Sequence, residues 1–447
     1  MRVAPDVLWV VLTLPLVAAL GLIPALLAAP AGPWPRHERA RLLALAAGCG
    51  LLVDYALGML LPQLRWVLVA EAAIAAAGLA WVLARNPRLL AALLGMGWLR
   101  WMLAAAVLLL FAGAILFESV RDWDARSIWF FAAKRLFFGG GLGAGPDDWT
   151  QRAYGFSHAD YPKLLPLLAA QFASMWGLWN EYIPKAGLLL LLLPVVIGLL
   201  GLPRRLGLSL LFLAGALLLS TGRYLWNGYA DTYLGLYGVL AAVWLARWLE
   251  SGEATTLALA SAFLGVAINL KNEGILLALC VAASLAIWSL LARPAVTPWR
   301  RWPAGVWLAL VLPWIGFFAW MLTKQQWHLE NDLQLGIASL PRVLQRLAEG
   351  KLALVARGLV LETDTGKSAG LLLLSAGLAW ALRARVPVTA WFPAAVATMY
   401  LAGMFVVYLA TPHDVAWHMG SSAERTMLLA AFGYLGSTFL VLEAMET

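Results

Sequence analysis

Charge is what this sequence has least of. Of its 447 residues only 13% are Asp, Glu, Lys or Arg, while 62% are hydrophobic. Soluble domains carry about 25% charged residues, so an ordinary water-soluble fold is excluded. The two cysteines, Cys49 and Cys280, fall in or beside apolar runs. That excludes a disulfide framework and leaves the redox compartment undecided. Alternation of apolar and polar positions over segments of about ten residues is missing too, which excludes a membrane β-barrel. The first apolar run has no small-residue cleavage site that stands out from its alanine-rich background, so a retained helix is expected there.

What the chain does contain is repeated apolar runs, such as GLLLLLLPVVIGLLGL, that are hydrophobic on every face. A helix of about 20 such residues crosses the ~30 Å hydrocarbon layer. The expected fold class is therefore an all-α polytopic membrane protein of about thirteen transmembrane helices. The predicted spans are 7–29, 42–62, 65–84, 102–118, 185–202, 206–221, 231–248, 255–270, 273–291, 304–323, 369–383, 388–409 and 424–442.

The net charge of +8 is dispersed in short clusters between these runs. That pattern fits membrane topology and anionic lipid head groups as partners, and no nucleic acid. The clusters are Arg36, Arg39 and Arg41; Arg85, Arg88 and Arg100; Arg204 and Arg205; Arg247; Arg293, Arg300 and Arg301; and Arg383 and Arg385. All lie on the cytoplasmic side if 163–179 enters the membrane without crossing it, with the N-terminus outside and the C-terminus inside. The segments rich in polar and aromatic residues then open together to the outer face: 119–162, 226–231, 270–274, 324–368 and 411–422. The chain divides accordingly into N-terminal transmembrane helices (1–100), a transmembrane module (101–323) with the large outer loop 119–162, an outer loop with an interfacial amphipathic helix (324–368), and C-terminal transmembrane helices (369–447).

Several outer residues carry chemistry. Asp122, Asp124 and Arg126 follow a span directly, where a partly desolvated carboxylate can act as a general base or hold a divalent metal. An Asp122–Arg126 helix-surface ion pair, with Trp123 and Trp129 in the aromatic belt, describes the same residues equally well. The glycine-rich loop GGGLGAGPDD follows no strand and reads as mobile rather than nucleotide-binding. At Tyr161-Pro162 the chain breaks, and Lys163 would reach toward phosphate or simply toward lipid. Lys271, Asn272 and Glu273 interrupt an otherwise apolar hairpin, as an anion site or as a tight-turn ion pair. Arg223, Asn227, Tyr229 and Asp231 read chiefly as caps and turn formers. His413, Asp414, Trp417 and His418 lack the spacing of a helical zinc site. Arg425, at the outer start of the last span, suits a phosphate anchor, with Ser421 or Ser422 as a helix cap.

The stretches DWDARSIWFFAAKRLF, HADYPKLLP, KNEG and HDVAWHMGSSAER resemble, in this order, the bacterial membrane glycosyltransferases of the GT-C superfamily, over about residues 100–442. The resemblance implies a polyprenyl-phosphate sugar donor, a glycan, lipid or protein acceptor, and a site facing out of the bacterial inner membrane. It implies Asp124 as the catalytic carboxylate, with Asp122 second. Lys163, Lys271, Arg425 and Arg126 would bind donor phosphate. Trp123, Trp129, Tyr161, Asn272, Glu273, His413, Asp414, Trp417 and His418 would contact sugar or acceptor. A divalent cation, Mg or Mn, is an optional cofactor. The chain departs from the simplest family pattern in having three spans before the one that leads into the catalytic loop, and no large soluble C-terminal domain. The rival readings are a secondary transporter or flippase of a lipid-linked or small polar substrate, and a non-catalytic lipid-binding or assembly subunit; no internal repeat supports a transporter.

Overall fold

The computed structural model describes residues 13–446 except 14, 31–32, 86, 143–144, 151, 203–206, 293–298, 332 and 334–335. The start of the first predicted span, Arg204, Arg205, Arg293, part of the glycine-rich loop and the side chain of Arg223 lie outside the described residues. Among those described there is no strand. Uniformly apolar runs satisfy their backbone groups internally by becoming helices, as a medium without water requires.

Nine helices among the described residues are long and apolar enough to cross a membrane: Arg36–Leu60, Leu64–Arg85, Trp98–Phe117, Ile183–Gly201, Asp231–Ser251, Glu273–Leu291, Ala304–Gln326, Val388–Ala410 and Val415–Glu446. The other four predicted spans fall on helices that are shorter, more polar or partly described. These are Leu208–Thr221 and Ala254–Ile268, Asp364–Ala381 with Asp364 and Lys367 in its first turn, and Leu22–Ala28. Ile183–Gly201, Asp231–Ser251 and Arg36–Leu60 form the buried centre, with 94%, 89% and 83% of their apolar windows inside the protein, whereas Leu64–Arg85, Trp98–Phe117 and Glu273–Leu291 bury only 28% and form the rim.

The two ends of the bundle differ as the charge pattern predicts. At one end Arg41 reaches Gly201 O and Glu253, Arg100 donates to Leu200 O, Arg39 to Gly95 O, and Arg247 pairs with Glu443. The polar loops meet at the other end. Leu164–Trp176 is only 13 residues long, with Leu164 to Ala173 all buried, so at 1.5 Å per residue it spans about 20 Å. Both its flanks belong to the loop end: Tyr161 lies beside Lys271, and Lys185 Nζ donates to Glu118 O at 2.7 Å. The segment therefore starts and finishes at the same end of the bundle.

The amphipathic helix expected within 324–368 is two, Leu340–Ala348 and Lys351–Val360. The break falls at Gly350, whose φ of +72° suits a residue without a Cβ.

Close helix approach relies on small residues, as it does generally inside membranes. A Cβ at Gly305 would fall on the backbone of Pro24, Leu27 and Ala28, whereas one at Gly377 would meet nothing within 4 Å. Gly305→Ala is therefore expected to lower stability by about 1–3 kcal/mol, the usual cost of overpacking, and Gly377→Ala to leave it unchanged. Denaturation of the purified variants in mixed micelles measures both, and equal stability of the two would contradict this packing.

Candidate functional site

Four segments far apart in sequence meet at the loop end through charge. Asp231 opens the Asp231–Ser251 helix, where the positive helix end favours a carboxylate. The turn before it places Gly228 at φ +103°, against Phe130 and Ala125. Lys271 occupies the turn between Ala254–Ile268 and Glu273–Ala292. Its Nζ lies 2.7 Å from Asp231 Oδ1 and 2.8 Å from Glu273 Oε1. Arg425, near the end of Val415–Thr426, places Nη1 at 2.6 Å from Asp124 Oδ2 and 3.6 Å from Asp231 Oδ2, and donates from Nη2 to Ser421 O at 3.0 Å. Its guanidinium lies 4.3 Å from the centre of the Tyr229 ring. The result is a continuous chain: Asp124, Arg425, Asp231, Lys271, Glu273.

Exposure is lowest at its centre. The Asp231 side chain is 2% exposed and that of Lys271 7%, while the two ends reach 19% at Glu273 and 25% at Asp124. Asp124 is thus the more accessible end. Burial, the largest influence on Lys271, opposes its charge, but Asp231 and Glu273 together outweigh it and hold the pKa well above the ordinary lysine value. Burial pushes the Tyr229 hydroxyl up to about 12, against the pull of Arg425, so it stays a proton donor at neutral pH.

The first outer loop is shaped by a π-helical turn over Ala125–Trp129 directly after Asp124. Its wider turn accompanies a rearranged pairing. The predicted Asp122–Arg126 ion pair is not made: Asp122 Oδ2 accepts from Asn227 Nδ2 at 2.5 Å, and Arg126 lies exposed over the Trp123 ring at 6.0 Å. Trp129 is buried and stacks on Tyr161 at 5.4 Å, and Lys271 lies 5.9 Å from that Tyr161 ring. Trp129 and Tyr161 therefore belong to the wall of the site. Trp123, 62% exposed, packs toward Phe156 and faces solvent or lipid.

Other predicted residues have different work. Lys163 is 1% exposed and donates to the carbonyls of Ala159 and Tyr161 at 2.7 and 2.6 Å, between the Trp149 and Trp320 rings. Its ammonium thus shapes the 158–163 loop instead of presenting itself for donor phosphate. Lys271 is likewise engaged by two carboxylates, which leaves Arg425 as the cation beside the accessible carboxylate. Asn272 donates to Asp160 Oδ2 at 2.6 Å, where Asn331 also donates at 2.9 Å and Lys324 lies 3.7 Å away. Asp160 is thereby a hub tying the loops together. His413, Trp417 and His418 form a separate aromatic group at the start of Val415–Thr426, and Asp414 caps that helix by accepting from Trp417 N at 2.9 Å. His418 packs on Tyr408, whose hydroxyl lies 3.0 Å from Thr426 Oγ1. That group approaches the site only through the helix it shares with Arg425.

Among the described residues no three His, Cys, Asp or Glu side chains gather to hold a metal. The two carboxylates proposed for Mg or Mn have different partners. Asp122 accepts from Asn227, and Asp124 is paired with Arg425.

Sequence reading missed Asp231 as the centre of the site and treated it as a cap. It also passed over a second buried polar group, Asp54 and Glu71 bridged by Gln171 Nε2 at 2.5 and 2.7 Å. The signal was present in both cases: an acid at the head of an apolar span, and acids inside two others. Against models of protein families, curated proteins and solved structures, the chain finds no match.

Asp231→Asn is expected to cost about 3–5 kcal/mol, because it strips a buried counter-charge from Lys271 and Arg425. Asp231→Asn combined with Lys271→Met should cost much less than the sum of the two single changes. Simple additivity in a denaturation series would show that the chain does not act as a unit.

Lys163 supplies a pH signature. Burial, with Lys324 and Arg135 and against Asp160, lowers its pKa from 10.5 to about 7. Between those values the unfolded chain binds the proton that the folded chain releases, so this group makes stability rise with pH across that window. Lys163→Met should flatten the rise in melting temperature between pH 7 and 10, and an unaltered slope would contradict this assignment.

Proposed function

We propose that the protein is a GT-C-type membrane glycosyltransferase of about thirteen spans, set in a bacterial inner membrane with its loop end outside the cytoplasm. It transfers a sugar from a polyprenyl-phosphate donor to a hydroxyl of a glycan, lipid or protein acceptor. The observation that carries this reading is the half-open ion pair between Asp124 and Arg425, 2.6 Å apart and backed by buried Asp231 and Lys271.

The chemistry follows from competition for one guanidinium. A donor phosphate is a better bidentate partner for Arg425 than a single carboxylate oxygen. Its arrival frees Asp124, which then takes the proton of the acceptor hydroxyl as that oxygen attacks the anomeric carbon. The bond from the anomeric carbon to the phosphate oxygen breaks with its electron pair. The charge that grows on the leaving phosphate meets Arg425, held in place by Asp231. The product is inverted. Trp129 and Tyr161 form a buried wall behind the site, Trp129 being 1% exposed and Tyr161 stacked on both Trp129 and His158.

A second reading as a transporter or flippase draws on Asp54 and Glu71, two carboxyl groups buried in the bundle and bridged by one amide. One assay separates the two: transfer of radiolabelled sugar from polyprenyl phosphate by the purified protein in nanodiscs. Asp124→Asn should lower the rate by about 10²–10⁴-fold, the usual range for a lost general base, and Asp122→Asn by less. Full activity in Asp124→Asn would remove the proposed base. Absence of transfer with every donor, joined to substrate movement abolished by Asp54→Asn in proteoliposomes, would establish transport instead.

A further inference from the structure

We propose that the cleft between the two amphipathic helices binds the phosphate of an anionic phospholipid, at a site separate from the Asp124–Arg425 pair. The cleft is about 300 Å³ and is lined by Arg342, Arg346 and Lys351 together with Glu349 and Asp414. That is the lower end of the size range of small-molecule sites.

Both acids lining it already have donors. Glu349 accepts from Gln345 at 2.8 Å, and Asp414 accepts from the Trp417 backbone at 2.9 Å. Those donors are neutral, so both carboxylates keep their charge, and three basic side chains against two acids leave the lining with one net positive charge. Arg346 is fixed by donating to Leu409 O at 3.0 Å and His413 O at 2.8 Å, so the lining is rigid on that side. Lys351 opens the ten-residue helix Lys351–Val360, and Gly350 before it offers no side-chain cap. The positive end of that helix accordingly lies at the rim of the cleft and adds to its attraction for an anion.

The same two helices indicate that the anion is attached to a lipid. Leu340, Leu344, Leu347, Leu352 and Leu354 are 54%, 58%, 41%, 50% and 39% exposed. Five exposed leucines beside a basic cleft, at the end of a bundle of membrane-length helices, form a surface that head groups and acyl chains cover. Inorganic phosphate would satisfy the cations but leave the leucines bare. The helix Val415–Thr426 joins the cleft, at Asp414 and Val415, to Arg425 at its far end. Occupancy of the cleft thus bears on the same helix that carries the guanidinium.

The test uses the full chain in neutral-detergent micelles and a fluorescent phosphatidylglycerol as probe. Unlabelled phosphatidylglycerol, phosphatidylcholine and inorganic phosphate serve as competitors. Lys351→Gln should weaken binding about fivefold, and Arg342→Gln with Lys351→Gln about thirtyfold, equivalent to about 1 kcal/mol for each basic side chain. Arg300→Gln with Arg301→Gln, at the opposite end, should leave binding unchanged. Unaltered affinity in both cleft variants would overturn the site. Competition by inorganic phosphate equal to that of the lipid would reduce it to a free-anion site and overturn the lipid assignment. Equal competition by phosphatidylcholine would mean unspecific lipid contact and overturn it as well. None of these outcomes depends on sugar transfer, so the cleft and the proposed activity stand or fall separately.

Discussion

A charge withdrawn from water must be matched at contact distance, and the loop end of this protein is arranged by that requirement. Coulomb attraction that is weak in water grows severalfold in a protein environment, while the cost of an unmatched charge grows with it. The chain from Asp124 through Arg425, Asp231 and Lys271 to Glu273 satisfies the rule with alternating signs. Its five residues come from four segments, so the order of charges also fixes which segments meet. Stability and function are joined here: the buried half holds the bundle together, and the half-open end leaves a carboxylate and a guanidinium that a ligand can separate.

The apolar scaffold allows this precision. Ile183–Gly201 and Asp231–Ser251 are almost wholly inside the protein, and close contacts such as that of Gly305 with the Pro24–Ala28 backbone leave little room for helices to shift. The loops are tied down by a second polar hub, Asp160, which collects Asn272, Asn331 and Lys324 from three segments. Lys163 performs a related task by gathering the carbonyls of its own loop. A rigid loop end is what a site made from discontinuous segments requires.

How much of this was legible depends on the kind of information each residue carries. Helical class, the positions of the long apolar spans and the separation of basic ends from polar loops follow from local composition, and they are present in the fold. Asp124, Lys271, Glu273 and Arg425 stood out as charges at helix ends, and the structure joins them. Lys163 and the histidines stood out for the same reason but are used elsewhere, because spacing along the chain does not reveal which partner a buried side chain has. An ion pair of Arg126 with Asp122 was one of two readings open from regular helical spacing; a π-helical turn accompanies the pairing actually found.

Sequence by itself therefore determined the solvent this protein is built for, the elements that solvent permits, and the end of the bundle at which polar chemistry collects. Those are consequences of hydrophobic length and of the cost of placing charge in hydrocarbon, both of which are local. Only the tertiary structure decided that Asp231 is the centre of the charge chain, that Lys163 is a strut and that Asp124 is the accessible partner of Arg425. Pairing among buried charges depends on distances of a few ångströms between segments as much as 301 residues apart, and nothing short of the packed bundle sets those distances.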